Sequence, residues 1–387
     1  MNNLMKCCAS AAFGMEGLVA DELRTLGMEK VSAENGSVVF YADPAGIFRC
    51  NISLRYCDRV FIILADEECT SFDSLFQLVF SISWERYAAG TESFNVSAKC
   101  ARSRLMSPRD CQSITKKAIL ERLKSNTGRS VFPEKGAEFP VLVSVHSDRV
   151  RILLNTSGEA LSRRGYRTWN GPAPLRETLA AALVRLSPWR PGMPIIDPCC
   201  GTGTILIEGA WLASGRLPGL TRSFAMEDFS FVNRENCQEI RSNLLQNATA
   251  IPAGIIQGSD IDPAAVDLAY RHIHQAGMQD IIRLSVRPLQ AVSSENISLP
   301  DGQKNGVFIC NPPYGERLED QKSCRLLYRD MRLLKDRFPL WHFCILTSDP
   351  GFEKAFGMRA HKKRRLYNGR LECVYYIYYS KGGTVSD

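Results

Sequence analysis

The sequence lacks the features of a membrane, fibrous or repeat protein. Its apolar runs all fall short of the ~18–20 residues that a membrane-spanning helix needs, and it holds no low-complexity stretch or internal repeat. The start from Lys6 to Met15 faintly resembles a signal peptide, but Glu16 and Asp21 interrupt it too early. We therefore expect a globular protein with no membrane partner.

The histidines and cysteines are not spaced like metal ligands. The five histidines do not stand at ligand spacing, and none of the fourteen cysteines forms a C-x2-C pair. Cysteines in apolar contexts, such as Cys310, Cys344 and Cys373, are typical of small core residues with free thiols. This usage predicts no metal, no disulfide framework and a reducing, cytoplasmic location.

Positive charge is concentrated in two parts of the chain. The formal net charge is only +7, but residues 99–129 hold nine Lys and Arg against two acids, and residues 359–370 hold six and no acid. Such clusters are candidate phosphate contacts, although either one alone is also compatible with a solvated face.

The chain is long for one core, and its pattern divides into three parts. Residues 1–66 alternate short strands and helices around an Asn35-Gly36 hairpin turn, which predicts a small α+β unit. Residues 67–160 predict a second α+β unit, where a basic helix opened by Pro108 accompanies a small sheet. Such a surface suits folded RNA that is read by shape and backbone.

Residues 161–387 predict a third domain. A basic, aromatic junction at 163–167 and a break at 171–174 precede repeated strand–helix alternation, the pattern of a parallel doubly wound sheet. The end predicts an antiparallel hairpin around Asn368-Gly369. Residues 215–236 fit neither element, and we expect them to loop over the site. The basic residues that we predict to bind RNA are Arg102, Arg104, Arg109, Lys116, Lys117, Arg163, Arg164, Arg167, Lys362, Lys363 and Arg364.

A strand of this third domain ends in Asn311-Pro312-Pro313-Tyr314-Gly315. The apolar run 306–310 reads as a buried strand, and two prolines must stop it because neither donates a backbone hydrogen bond. Ligands bind at the carboxyl ends of strands in such sheets. An amide, two fixed carbonyls and an aromatic ring there suit a flat substrate that carries an exocyclic NH2 group.

A glycine loop follows an earlier strand. The run from Ile195 to Thr204 reads as strand, loop and helix, and its glycines permit positive φ and close approach to a ligand. It is not a P-loop, because no lysine follows, and it lacks the third glycine of a dinucleotide site. Asp197 before the loop could hold a cationic amino group. One strand later, Asp260 could accept both ribose hydroxyls, while Asp262 before Pro263 is expected to cap a helix.

The sequence resembles class I S-adenosylmethionine-dependent methyltransferases. The motifs that carry the resemblance are DPCCGTGTILIEGA, GSDIDPAAVDLAY and NPPYGERL. More closely, RRGYR, APLRETLAAALV and LYNGRLEC are similar to the N2-guanine RNA methyltransferases, including the amino-terminal half of the bifunctional bacterial large-subunit rRNA enzyme. This implies an α/β, Rossmann-like domain with a mostly parallel seven-stranded sheet that ends in an antiparallel hairpin. It also implies preceding ferredoxin-like and THUMP RNA-binding domains.

The resemblance also implies roles for matching residues. Asp197 would lie near the amino group of S-adenosylmethionine, and Asp260 would take the ribose. Where such enzymes often place an Asp against the adenine amine, this chain has Arg287-Pro288-Leu289-Gln290, so backbone groups or Gln290 would serve. The implied cofactor residues are Leu175, Arg176, Glu177, Thr178, Asp197, Pro198, Cys199, Gly201, Thr202, Gly203, Thr204, Asp260, Ile261 and Gln290. The implied catalytic residues are Asn311, Pro312, Pro313 and Tyr314, with Tyr314 stacking on the base.

Together these features predict methyl transfer to N2 of a guanine in structured RNA, with 23S ribosomal RNA as the first choice. Alternatives are tRNA guanine N2, adenine N6, a protein glutamine, or a non-catalytic RNA-binding or ribosome-assembly factor. The basic N-terminal half favours RNA over protein. The intact Asn311, Pro312, Tyr314 and Asp197 favour an enzyme.

Overall fold

The structure of the protein is a computed structural model. It describes residues 4–88, 90–127, 136–167, 175–245, 255–297, 299, 302–314 and 318–381, with backbone alone for 318–321. The predicted break at 171–174, the predicted strand start at Gly254 and Gly315 lie outside these residues. The chain forms two compact units. The first comprises Met1–Ala11, Glu16–Leu161 and Gly219–Gln246, and the second comprises Ala12–Met15, Ser162–Pro218 and Asn247–Asp387.

The first unit is built on one seven-stranded sheet. Its elements are β1 (Met5–Ala11), α1 (Glu16–Thr25), β2 (Glu29–Glu34), β3 (Ser37–Ala42), α2 (Pro44–Ser53), β4 (Cys57–Glu68), α3 (Phe72–Ser81), β5 (Ser93–Ala101), α4 (Pro108–Thr127), β6 (Glu138–His146) and β7 (Arg149–Asn155). The strand order is β2-β3-β1-β4-β7-β6-β5, and only β5 and β6 pair in parallel.

A single strand pair joins the two sequence-predicted N-terminal units. The long strand β4 pairs antiparallel with β7, from Phe61 opposite Asn155 to Glu68 opposite Arg149. Its other edge pairs with β1. The strands of residues 4–68 and 93–155 therefore share one set of backbone hydrogen bonds.

The second unit is doubly wound, as the alternating pattern predicts. Its elements are α5 (Glu177–Leu186), β8 (Ile195–Asp197), α6 (Thr204–Ala213), β9 (Ile256–Asp260), α8 (Pro263–Gln275), β10 (Ile282–Val286), β11 (Val307–Cys310), α9 (Leu318–Arg337), β12 (His342–Thr347), α10 (Phe352–Phe356), β13 (Lys362–Asn368) and β14 (Leu371–Tyr378). Helix α7 (Arg234–Leu245) lies between α6 and β9 in the sequence but belongs to the first unit. The sheet order is β10-β9-β8-β11-β12-β14-β13. The first five strands are parallel, and the terminal hairpin is antiparallel.

Aromatic residues fill the core beside β11. Phe308 stacks on Phe343 with ring centroids 4.4 Å apart, and Trp341 covers the start of the strand. A Cβ at Gly306 would lie 2.4 Å from the Trp341 ring, so only glycine allows this close approach. This packing fixes the strand that presents Asn311.

The predicted loop 215–236 is divided in the structure. Residues 219–236 belong to the first unit, and helix α7 begins at Arg234 instead of continuing the loop. Arg241 of α7 donates to the carbonyl oxygens of Leu220 and Arg222 at 2.8 and 2.7 Å and pairs with Glu227 at 2.9 Å. Its guanidinium also lies 5.4 Å from the ring centre of Phe48 on α2. The polar sequence of α7 does not reveal this role, because a half-buried arginine and a few apolar side chains anchor the segment.

Membrane spans, metal sites and the state of the cysteines can be stated for the described residues. None of their helices combines the length and apolar character that a bilayer span requires. They contain no group of three or more His, Cys, Asp or Glu side chains arranged for a metal ion. All fourteen cysteines carry free thiols, twelve of them buried.

Candidate active site

The glycine loop lies between β8 and α6, as predicted. Asp197 ends β8 and is 1% exposed, and its Oδ1 accepts a hydrogen bond from the Cys199 backbone at 3.1 Å. Gly203 at φ +80° is the residue before α6, and a Cβ there would lie 3.2 Å from Ala269. Gly201 also has positive φ, and the space where its Cβ would stand is open. The loop is therefore a tight turn with room for a ligand above it.

Asp260 is tied to this loop. It ends β9, which pairs in parallel with β8, and its Oδ2 accepts from the Gly201 backbone at 2.8 Å. Asp262 caps α8 by accepting from Ala264 at 2.9 Å, as the sequence predicts. Ile261 between them is 72% exposed, an unusual environment for a large apolar side chain.

The Asn311–Tyr314 segment leaves the adjacent strand. In the parallel pair of β8 and β11, Ile196 lies opposite Phe308. Asp197 and Asn311 thus follow neighbouring strands at the same edge of the sheet. Pro312 is buried and Pro313 is exposed.

Tyr314 is held by hydrogen bonds on two sides. Its hydroxyl donates to the Asn311 side-chain oxygen. The Cys373 thiol of β14 donates to the same hydroxyl, with Sγ and O 3.8 Å apart. Burial raises the pKa of Tyr314, so the hydroxyl stays protonated and can donate.

The carbonyl oxygen of Pro313 is held from below by α9. Cys324 Sγ lies 3.2 Å from this oxygen and the Tyr328 hydroxyl 3.5 Å from it. Tyr328 also bonds Thr347 on β12 at 3.1 Å. The turn after β11 is thereby anchored to its neighbouring elements.

The start of α5 is joined to the glycine loop by Arg167. Its guanidinium donates to the Leu175 carbonyl oxygen at 2.6 Å and to the Thr204 hydroxyl, and lies 3.3 Å from the Glu177 carboxylate. Leu175, Glu177 and Thr178 are buried, whereas Arg176 is exposed.

Asp197 is a buried carboxylate with a perturbed pKa. Burial raises the pKa of Asp197 well above its usual range, the Cys199 N–H opposes this shift, and the nearby Asp260 adds to it. No cation is among the groups that act on Asp197 in the described part of the chain. A ligand that carries an ammonium group would supply the missing positive charge.

Gln290 contacts residues of helix α9. Its side-chain amide donates to Asp330 of α9 at 2.6 Å, and its backbone oxygen accepts from Arg337 at 2.9 Å. The predicted role of Gln290 toward an adenine amino group would use its side-chain oxygen, or the second lone pair of its backbone oxygen.

Two predicted RNA contacts need correction. Arg164 is 2% exposed and pairs at 3.4 Å with Glu208, which is fully buried on α6. Arg167 makes the internal contacts with α5 and α6. Neither guanidinium is available to a phosphate, because each neutralises a buried carboxylate. The predicted RNA-binding side chains that are exposed are Arg102, Arg104, Arg109, Lys117, Arg163, Lys362, Lys363 and Arg364, and Lys116 is half-buried.

The sequence does not indicate the role of several residues at the site. Cys373, Cys324 and Tyr328 read as ordinary core residues, and only the three-dimensional contact with the Asn311–Tyr314 segment gives them a role. Glu208 did carry a signal, since it is the one charged residue in the helix TILIEGAWLA. A carboxylate there is expected to be buried and to need a cationic partner.

Three family models match the chain. The model described as RMKL-like, methyltransferase domain covers residues 164–377. The RlmL ferredoxin-like domain covers residues 6–61, and the THUMP domain covers residues 69–155.

Curated relatives and a solved structure agree with these matches. YpsC of Bacillus subtilis (strain 168), provisionally named an RNA methyltransferase, is 38% identical over 375 residues, which are 96% of this chain and 95% of that protein. The ribosomal RNA large subunit methyltransferase K/L of Syntrophotalea carbinolica is 32% identical over 392 residues. That match covers 96% of this chain but 53% of the relative, so this chain spans about half its length.

The crystal structure of SMU.472, provisionally described as a methyltransferase and complexed with SAH, superposes with a TM-score of 0.91. It is 36% identical, and the match covers 99% of this chain and 100% of that one. Together with the family models, these similarities confirm the resemblance inferred from the motifs. The chain belongs to the RMKL-like methyltransferase domain family and carries RlmL ferredoxin-like and THUMP domains ahead of its methyltransferase domain.

Proposed function

We propose that the protein transfers a methyl group from S-adenosylmethionine to the exocyclic N2 of a guanine in structured RNA, with ribosomal RNA as the substrate. The observation that carries the proposal is the pairing of β8 with β11. It brings the buried Asp197 and the Asn311–Tyr314 segment to the same edge of the sheet. A cofactor loop and an amine-accepting clamp on neighbouring strands are what methyl transfer to an NH2 group requires.

The loop residues fit S-adenosylmethionine. Asp197 suits the ammonium group of the methionine part, because nothing else described neutralises it. The oxygens of Asp260 each accept one backbone hydrogen bond, at 2.8 and 3.1 Å, and retain lone pairs for ribose hydroxyls. The exposed Ile261 offers an apolar surface to a flat ring. The SAH bound to SMU.472 supports this fit, and S-adenosylmethionine would supply an electrophilic methyl group here.

The Asn311–Tyr314 segment would position the target amine. The lone pair of a guanine NH2 is delocalised into the ring, so the nitrogen is a poor nucleophile. The Asn311 side-chain oxygen and the Pro312 carbonyl oxygen would accept its two hydrogens and favour rehybridisation toward the methyl group. No strong base is needed beforehand, because the proton becomes acidic only as the N–C bond forms. Positioning and acceptor electrostatics would supply most of the rate enhancement.

The first unit would bind the RNA. Exposed basic side chains of the THUMP region, including Arg109 and Lys117 on α4, suit phosphate contacts. The names of the two curated relatives both refer to RNA methylation, and the name of the K/L relative refers to large-subunit ribosomal RNA. A paired target guanine would have to leave its helix to reach the segment after β11.

The test compares wild type with Asn311→Ala. We expect the variant to lose methyl transfer to RNA by more than about a hundredfold while its SAH affinity changes little, because Asn311 acts on the amine. The fold is checked by thermal unfolding. Equal loss of both properties would assign Asn311 to structure, and full activity would remove it from the mechanism.

A further inference from the structure

Three residues of the RRGYR stretch, Arg164, Tyr166 and Arg167, make internal contacts in the second unit. Tyr166 is 2% exposed, and its hydroxyl donates to Glu208 at 3.1 Å. Arg164 pairs with the same carboxylate at 3.4 Å. These two residues hold the second turn of α6, where Glu208 lies one turn after Thr204.

Arg167 makes a different set of contacts from the same stretch. One of its terminal nitrogens donates both to the Leu175 carbonyl oxygen at 2.6 Å and to the Thr204 hydroxyl, and the other lies 3.3 Å from Glu177. Leu175 precedes α5, Glu177 begins it, and Thr204 begins α6. One planar guanidinium therefore spans the starts of the two helices that flank the proposed cofactor.

A gain in folding stability alone is a poor explanation of the buried Arg167–Glu177 ion pair. The Arg167 side chain is 15% exposed and that of Glu177 is 10% exposed, so both charges have lost most of their water. Buried ion pairs seldom stabilise a fold more than well-packed apolar side chains would. Their distinctive contribution is fixed geometry, because the fork of an arginine accepts few orientations of its partners.

We infer that Arg167 is a positioning residue of the cofactor pocket, which sets the spacing between the start of α5 and the glycine loop. The inference rests on the proposed cofactor site, since it assumes that Leu175–Thr178 and Asp197–Thr204 both contact the bound nucleotide. The Arg164–Tyr166–Glu208 cluster, one helical turn deeper, serves the fold instead. The two clusters should therefore respond differently to substitution.

The substitution Arg167→Lys tests whether the positive charge of Arg167 or the geometry of its guanidinium matters for cofactor binding. Arg167→Lys keeps the positive charge near Glu177, but the donors of an ammonium group diverge from a single nitrogen on a flexible stem. They cannot reproduce contacts that two guanidinium nitrogens make in a fixed fork. Loss of a charge-assisted contact predicts an SAH dissociation constant raised about tenfold or more. Tyr166→Phe should lower the thermal midpoint while leaving the SAH dissociation constant within about twofold, since it removes a bond only from the buried Glu208.

The experiment measures SAH binding by calorimetry and thermal unfolding, for full-length wild type, Arg167→Lys, Tyr166→Phe and the control Arg185→Met. Arg185 is exposed near the end of α5, so both quantities should stay at wild-type values. If Arg167→Lys lowers the thermal midpoint, the SAH-induced shift of that midpoint still reports its affinity. Weak SAH binding by Arg167→Lys with normal binding by Tyr166→Phe supports the inference.

Two results would overturn it. Wild-type affinity in Arg167→Lys would show that charge alone suffices, and equal loss of affinity in Tyr166→Phe would show that any damage to the stretch acts through stability. Failure of wild type to bind SAH is a separate result, because it would reject the proposed function before either variant is considered.

Discussion

The hydroxyl of Tyr314 donates a hydrogen bond to the side-chain oxygen of Asn311. The aromatic ring expected to stack on the target base thus also orients the amide expected to accept its NH2 group. Cys373 on the terminal hairpin in turn donates to the Tyr314 hydroxyl. A chain of hydrogen bonds therefore runs from β14 to the proposed catalytic amide.

Tyr314→Phe tests this relationship, because it retains the ring and removes the donor. Without the hydroxyl the Asn311 amide can rotate, so we expect the turnover number to fall about tenfold, with SAH affinity unchanged. Tyr314→Ala, which also loses the ring, should reduce turnover further. Single-turnover methylation of RNA measures both variants. Wild-type turnover in Tyr314→Phe would show that the hydroxyl plays no part in orienting Asn311.

Asp197→Asn should stabilise the ligand-free protein. Burial raises the folded-state pKa of Asp197 above its unfolded value, so its contribution to stability is present at acidic pH and is lost as pH rises through the folded pKa. The asparagine variant escapes that loss while its side-chain oxygen can still accept from Cys199. Its free energy of unfolding should exceed that of wild type at neutral pH, and the difference should shrink in acid.

The same variant should bind SAH more weakly. An amide cannot neutralise the ammonium group, and the loss of a charge-assisted hydrogen bond predicts about tenfold lower affinity. Denaturant unfolding and calorimetry at two pH values measure the two effects. Lower stability at neutral pH would contradict the account of Asp197 as an uncompensated buried charge.

Arg241→Met should loosen the segment 219–246. Arg241 is half-buried and holds the carbonyl oxygens of Leu220 and Arg222 together with Glu227. Removing it takes the guanidinium donor from two carbonyl oxygens and leaves Glu227 with the backbone N–H of Phe224. We therefore expect a loss of about 2 kcal/mol in the free energy of unfolding. Limited trypsin digestion should also cut this segment faster.

Arg234→Met is the matched control on the same helix. Arg234 pairs with Asp228 at the surface, where ion pairs contribute little, so its change should stay within about 0.5 kcal/mol. Equal effects of the two substitutions would show that Arg241 is not the anchor of the segment.

Basic residues on α4 should govern RNA affinity through phosphate contacts. Combined replacement of Arg109 and Lys117 by alanine should weaken binding, and the slope of log affinity against log salt should fall by about one to two. Arg24→Ala on α1 removes an exposed arginine elsewhere and should leave that slope unchanged. Fluorescence anisotropy with a structured RNA fragment measures it. An unchanged slope in the α4 variant would remove these residues from the RNA surface.

Much of the second unit could be predicted because its signals are local. The prolines after Cys310 must end a strand, the glycines of 201–203 must turn before α6, and Asp262 before Pro263 must cap a helix. Each conclusion depends on neighbouring residues only. The rule that ligands gather at the carboxyl ends of parallel strands then brings the separate motifs together.

Features that depend on distant partners could not be predicted in this way. The pairing of β4 with β7 joins residues that are far apart in sequence, and strand patterns do not name their partners. Arg164 reads as a surface charge because its partner Glu208 lies 44 positions away. Residues 215–236 fit neither a helix nor a strand pattern, because their composition does not show that Phe224 and Met226 are buried or that a helix begins at Arg234.

The most direct test of the proposed function identifies the methylated nucleoside. Ribosomal and transfer RNA from a strain that lacks the gene are separated and incubated with the purified protein and labelled S-adenosylmethionine. The RNA is then digested and analysed by nucleoside mass spectrometry, with Asn311→Ala in parallel. We predict labelled N2-methylguanosine in the large-subunit ribosomal RNA with wild type and almost none with the variant. Label in N6-methyladenosine, in transfer RNA alone, or in no nucleoside would contradict the proposal.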